Sequence, residues 1–209
     1  MKSLLVRSGL ALLCATILAA CGGGNGSGSM LLSGVILPVT PGSSVSSLTK
    51  NGLVLVNGTE SISPLAGDTA FQFPNLIAVN DSFDIEIKTQ PTGAFCTLVN
   101  NKNTANIYTV QQTQVSCTTN TWTLGGTVTG LKSNGLLLSN GSDVAAPTPS
   151  SSAPGAPVSF TFPVKVADGA KFGVYVLAQP ASGNCTISTA NNVGTMPAGD
   201  ALGLTVNCI

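Results

Sequence analysis

Histidine is absent from the 209 residues. The commonest general base and the commonest transition-metal ligand are therefore missing together. Charge is scarce as well: charged residues make up 8% of the chain, where an ordinary soluble domain carries roughly 25%. Basic and acidic residues balance at eight each, so there is no basic excess of the kind that nucleic-acid binding requires. Aromatic residues are 5%, with a single tryptophan. No stretch after residue 30 has helical periodicity. Ser, Thr, Asn and Gly fill the spaces between short apolar runs, the pattern of short strands joined by many turns.

The N-terminus reads as an address. Lys2 and Arg7 precede an almost wholly apolar run, GLALLCATILAA, from Gly9 to Ala20. A basic start followed by an apolar run of this length is a signal peptide, and the run is too short for a transmembrane helix of about 20 residues. It ends in Leu18-Ala19-Ala20-Cys21, which resembles the lipobox of bacterial lipoproteins. The resemblance implies that residues 1–20 are removed and that Cys21 becomes the lipidated first residue. Ordinary signal cleavage prefers a small residue where Leu18 stands. In that family an Asp after the cysteine favours the inner membrane; here the residue is Gly22, which points to the outer membrane. Residues 21–30 (CGGGNGSGSM) then read as the lipidated cysteine and a Gly/Ser tether, of which the eight residues 22–29 reach roughly 16 Å by coil scaling. It is not a phosphate loop, because no strand precedes it and no Lys-Ser or Lys-Thr follows.

Beyond residue 30 the chain repeats itself. Asn51-Gly-Leu-Val-Leu-Val-Asn-Gly-Thr-Glu60 matches Asn134-Gly-Leu-Leu-Leu-Ser-Asn-Gly-Ser-Asp143. Phe71-Gln-Phe-Pro74 matches Phe160-Thr-Phe-Pro163. Phe83, Ile85 and Ile87 match Phe172, Val174 and Val176. Gln90-Pro91 matches Gln179-Pro180, and Cys96-Thr97 matches Cys185-Thr186. A period of about 90 residues is a whole small domain, not a solenoid unit. The expected organisation is module 1 over 31–120 and module 2 over 121–209.

Both modules read as β. The segment Phe83–Lys88 alternates strictly, as a half-buried strand does. Its outward set, Asp84, Glu86 and Lys88, becomes Gly173, Tyr175 and Leu177 in the second copy, while the inward set stays apolar. Asn57-Gly58 and Asn140-Gly141 signal hairpins with type I′ turns. Further strands are expected at 53–56, 71–73, 114–117, 122–129, 136–139, 159–166 and 203–208. Six or seven short strands per copy predict an all-β chain of two tandem small immunoglobulin-like β-sandwich modules. The true immunoglobulin Cys–Trp–Cys spacing is absent, and strand order stays open. Residues 145–157 (AAPTPSSSAPGAP) have no counterpart in copy one and read as an exposed, extended loop.

Six cysteines are present. Cys14 leaves with the signal peptide and Cys21 takes the lipid. The remaining four allow three pairings, and the repeat selects one: Cys96–Cys117 and Cys185–Cys208, a disulfide in each copy. An exported, oxidising setting favours this. A zinc site built from four cysteines needs close pairs separated by two to four residues, and there are none.

The module resembles a repeat of exported proteobacterial proteins and lipoproteins. The resemblance rests on Gly125–Leu131, Gly135–Gly141, Phe160–Phe162, Phe172–Pro180, and Cys185-Thr186 with Cys208. Copy one departs early, over residues 32–50, which are longer and carry two prolines. Such modules are immunoglobulin-like spacers or attachment domains. The resemblance implies no catalytic residue.

The residues offer no catalytic arrangement. Without histidine a serine hydrolase would need a Ser–Lys pair, and no Gly-x-Ser-x-Gly elbow precedes a helix. The densest acidic cluster is Asp81, Asp84 and Glu86, a solvated strand face or a weak calcium site. Trp122, just past the junction of the copies, either packs between modules or offers a sugar-stacking platform. Tyr175 and Leu177 meet either module 1 or a partner. The expectation is a non-enzyme with no catalytic residue, cofactor or metal, held to the membrane through lipid on Cys21 and presenting its modules to a protein or glycan. A periplasmic structural or assembly role is the alternative. An enzyme with a composite site between the modules is the third reading.

Overall fold

The computed structural model describes residues 29–209. Among them the regular elements are all strands apart from one 3-10 turn, Thr109–Gln111. No helix among the described residues is long and apolar enough to cross a membrane. The N-terminal half contains β1 (Ser29–Ile36), β2 (Val54–Asn57), β3 (Glu60–Ile62), β4 (Ala70–Ala78), β5 (Ser82–Thr89), β6 (Ala94–Val99), β7 (Lys102–Thr104) and β8 (Thr113–Thr119). The C-terminal half contains β9 (Thr121–Trp122), β10 (Leu124–Thr129), β11 (Leu137–Asn140), β12 (Asp143–Ala145), β13 (Val158–Thr161), β14 (Val166–Ala167), β15 (Lys171–Ala178), β16 (Cys185–Ile187), β17 (Val193–Thr195) and β18 (Ala201–Cys208).

In the N-terminal half one sheet runs β4-β1-β8-β6 and the other β3-β2-β5-β7. In the C-terminal half the orders are β13-β10-β18-β16 and β12-β11-β15-β17, with β14 paired to β9. The orders correspond position for position. In both, the first long strand runs parallel to the last, β1 beside β8 and β10 beside β18. Each pair of sheets encloses its own apolar core. Leu32, Phe73 and Val115 from one sheet meet Leu55, Phe83 and Ile85 from the other. Leu124, Phe162 and Leu204 meet Leu138 and Val174 in the same way.

The Phe-x-Phe-Pro motif explains itself in this frame. Both phenylalanines of each copy point inward and meet edge to face, with ring centroids 6.3 Å and 6.0 Å apart. Pro74 lies in the edge strand β4 and Pro163 lies two residues past the end of the edge strand β13; neither has an N–H to donate to an incoming strand.

Several expected extents change. β1 takes up Ser29 and Met30, the last two tether residues, because they pair with Ala78 and Ile77. The expected strand at 71–73 extends to Ala78 for the same reason. The one expected at 122–129 divides at Thr123, whose N–H is taken by Asp200 Oδ1 at 2.7 Å. The one expected at 159–166 stops at Thr161: Pro163 has no donor, and Val164 N–H goes to Asp143 Oδ2 at 2.9 Å.

The hairpin turns are not type I′. Positive φ falls on Gly58 (59°) and Gly141 (61°), and not on the residue after either. The turn centres are Gly58-Thr59 and Gly141-Ser142, closed by Asn57↔Glu60 and Asn140↔Asp143. Glycine in the first central position is the type II′ pattern. The asparagine instead sits in the strand. Asn57 Oδ1 accepts the Asp84 N–H and Asn140 Oδ1 the Gly173 N–H, each at 3.1 Å.

Candidate functional site

Cys21 lies outside the described residues. The other four cysteines form Cys96–Cys117 and Cys185–Cys208, at sequence separations of 21 and 23. In each pair the partners stand directly opposite one another on neighbouring antiparallel strands, 4.0 Å apart at Cα. So close an approach marks a non-hydrogen-bonded pair. The backbone N–H and C=O of Cys96 and Cys185 therefore point away from their partner strand, toward the open edge of the sheet. The glutamine of the Gln-Pro motif answers both groups. Gln90 Oε1 accepts the Cys96 N–H at 2.8 Å and its Nε2 donates to the Cys96 carbonyl at 2.9 Å. Gln179 does the same for Cys185, at 2.7 Å and 3.0 Å. One side chain thus stands in for a neighbouring strand and closes an edge that would otherwise accept one. Gln90→Leu should lose about 1–3 kcal/mol, since two half-buried backbone groups lose their partners. Urea unfolding measures the loss, and light scattering should detect new self-association.

Two asparagines follow the same logic. Asn101 Nδ2 donates to the Ile85 carbonyl at 2.8 Å, and Asn192 Nδ2 to the Val174 carbonyl at 3.3 Å. Three polar pairs shared by the two halves, Asn57/Asn140, Gln90/Gln179 and Asn101/Asn192, thus serve the backbone.

The acidic cluster disperses. Asp84 pairs with Lys102 across β5 and β7, and that hydrogen bond, followed by the charge of Asp84, raises the Lys102 ammonium above its ordinary pKa. Glu86 is exposed opposite Val56. Asp81 sits in the turn after β4, where its carbonyl accepts the Ala105 N–H at 2.7 Å. Among the described residues, no group of three or more His, Cys, Asp or Glu side chains could hold one metal ion. A groove of about 600 Å³ beside β1 is lined by Leu31, Val35, Ile62, Phe71 and Asp68. Asp68 is its one ionisable lining group, and Asp68 Oδ2 already accepts the Leu65 N–H at 2.8 Å.

Trp122 packs against the C-terminal core, and its indole N–H donates to Asp168 Oδ2 at 3.2 Å. Asp168 is the centre of the junction between the halves. Lys50 Nζ reaches its Oδ1 at 2.9 Å and its carbonyl at 2.8 Å. The Asp168 N–H donates to the Asn120 carbonyl at 2.8 Å, and the Asn120 N–H to the Gly93 carbonyl at 2.9 Å. Gly93 is fixed in this arrangement: its φ is +80°, and a Cβ there would stand 2.4 Å from Asp168 Oδ1. Sequence reasoning passed over Lys50 and Asp168. The available signal was that Lys50 is the only charged residue between Met30 and Glu60.

The Asp168 carboxyl is held below the usual aspartate range, first by the Lys50 hydrogen bond and then by that of Trp122. A lowered folded pKa contributes stability above the unfolded value, about 3.9, and loses it as pH falls through the folded value. Asp168→Asn should remove that contribution at neutral pH and flatten the acid limb below about pH 4. Thermal melts from pH 7 to pH 3 would reveal it; an unchanged acid limb would discount the junction charge.

Tyr175 and Leu177 are largely exposed on β15, at 56% and 59%, with Gly173 and Val193 beside the tyrosine ring. The 145–157 segment is pinned rather than free, because Gly155 exchanges backbone hydrogen bonds with Gly130 and Leu131 at 3.0 Å and 2.9 Å.

No family model matches the chain, and no curated protein matches it.

Proposed function

We propose that this chain is a non-enzymatic lipoprotein of the cell envelope, anchored through Cys21, that presents two tandem copies of one β module for binding or attachment. One observation carries the reading. Three polar pairs that recur between the halves, Asn57/Asn140, Gln90/Gln179 and Asn101/Asn192, hydrogen-bond to the backbone with their side chains. Here what recurs is a scaffold, and the differences lie on the outer faces, as on β5 and β15.

The anchor is tested by feeding cells an alkyne-tagged fatty acid. The protein should take up the tag, and Cys21→Ser should abolish the uptake. An untagged wild-type protein would overturn the anchor. The face of the membrane is then read with a membrane-impermeant amine reagent. Lys88, Lys102, Lys132, Lys165 and Lys171 are exposed and should react, while Lys50 is held by Asp168. Reaction on intact cells supports attachment outside the cell. Reaction only after lysis supports the periplasmic structural role.

A further inference from the structure

We infer that the end of the N-terminal half at which β1 begins rests on a lipid surface. The inference rests on the lipid anchor at Cys21. Because β8 runs parallel to β1, the chain enters the N-terminal half at one pole and leaves for the C-terminal half at the opposite one. The entry pole carries exposed apolar side chains. Leu31 and Leu76 face each other across β1 and β4 and are 40% and 61% exposed. Val79, 42% exposed, follows in the turn after β4. That turn is tied to the next loop, since the Asn80 N–H donates to the Ala105 carbonyl and the Ala105 N–H to the Asp81 carbonyl. The same loop holds out Ile107 and Tyr108, 66% and 71% exposed.

The C-terminal half supplies an internal comparison. Its matching hydrogen bonds run from the Gly169 N–H to the Met196 carbonyl and from the Met196 N–H to the Ala170 carbonyl. They place Asp168 where Val79 stands, and Ala198 and Gly199 where Ile107 and Tyr108 stand. That pole faces protein, and Asp168 binds Lys50. In the N-terminal half the same pole lacks the ion-pairing residue and carries three large apolar or aromatic side chains, Val79, Ile107 and Tyr108, in place of Asp168, Ala198 and Gly199. A second copy of the chain could not use the Lys50–Asp168 geometry here, because Ser133 and Val79 occupy the two positions.

The length of chain before β1 identifies the occupant. Ser29 is paired in the sheet, so the residues from Cys21 to Gly28 set the reach from the anchor, roughly 15 Å on coil scaling. A pole held that near a bilayer meets it continually, and a tyrosine beside aliphatic residues suits the interface between headgroups and acyl chains. The carboxylates of Glu60 and Asp81 lie at the rim, which makes zwitterionic headgroups the better fit.

The full lipidated protein, reconstituted in vesicles of phosphatidylethanolamine with a minor share of phosphatidylglycerol, would carry the test. The vesicles include a diazirine-bearing phospholipid, and cross-linked peptides are mapped by mass spectrometry. Cross-links should concentrate on residues 76–79 and 105–109. The double variant Ile107→Asp, Tyr108→Ser should cut them roughly tenfold, as expected when two side chains lose their apolar burial, with an unchanged melting curve. Cross-links spread evenly over both halves, cross-links confined to the tether, or chain-to-chain products in their place would each overturn the inference. A protein that takes up no fatty acid fails at the anchor, a separate and earlier result.

Discussion

Cys208→Ala, in the full chain under oxidising conditions, should melt the C-terminal half roughly 15 °C lower than wild type. The disulfide joins residues 23 apart, and a closed loop of that size contributes about 3 kcal/mol by restricting the unfolded chain. For a unit of about 90 residues each kcal/mol moves the midpoint by about 4–8 °C. Cys208 is the better site for the test because it is only partly buried, whereas Cys185 is 1% exposed and an alanine there would also alter the core. The bond also has a structural partner in Gln179, which holds the other face of Cys185. Reducing the wild-type protein should bring it close to the variant. A Cys208→Ala melting curve that overlies the oxidised wild type would show that the pair adds nothing to stability.

Much of the architecture was legible because the chain states it twice. Alternation in Phe83–Lys88 fixed a core face, and Phe83 and Ile85 are buried there while Glu86 and Lys88 are exposed. The cysteine pairing followed from the repeat. Turn chemistry was harder. Asn-Gly is the strongest short hairpin signal, but the asparagine side chain found a better partner in the next strand, and the turn shifted by one residue onto glycine and its successor. Order within the sheets was invisible, since nothing local announces that the first strand will lie parallel to the last. The junction was invisible for a related reason. Lys50 and Asp168 are 118 residues apart, in segments where the copies differ, and a repeat reveals what recurs rather than what joins the copies. Trp122 was singled out by its position, and its indole does reach the junction acceptor, while its ring belongs to the C-terminal core.

The sharpest contest between sequence and geometry is at Gly126. Propensity alone favours Gly126→Val, because a β-branched residue suits a strand and glycine weakens one. The neighbours oppose it. Gly126 lies in β10 between Phe160 on β13 and Leu204 on β18, and a Cβ there would fall 1.9 Å from the Leu204 carbonyl oxygen and 2.7 Å from the Leu204 Cβ. The nearest obstacle is backbone, so no rotamer change relieves it. Gly34 stands in the same place in the N-terminal half, with the Thr113 carbonyl oxygen at 2.4 Å and Phe71 Cζ at 2.5 Å. Two glycines under the same constraint locate the point where the first and last strands approach too closely for any side chain. Even Gly126→Ala should therefore cost about 3 kcal/mol, at the upper end of ordinary overpacking, and Gly126→Val more. Thr127→Val on the same strand is the control. Its side chain is only half-buried, Val35 occupies the matching place in β1, and the change should stay within about 0.5 kcal/mol. Urea denaturation of the three variants reads the contest directly: a stabilised Gly126→Val protein would mean that strand propensity outweighs the close approach of β10 and β18.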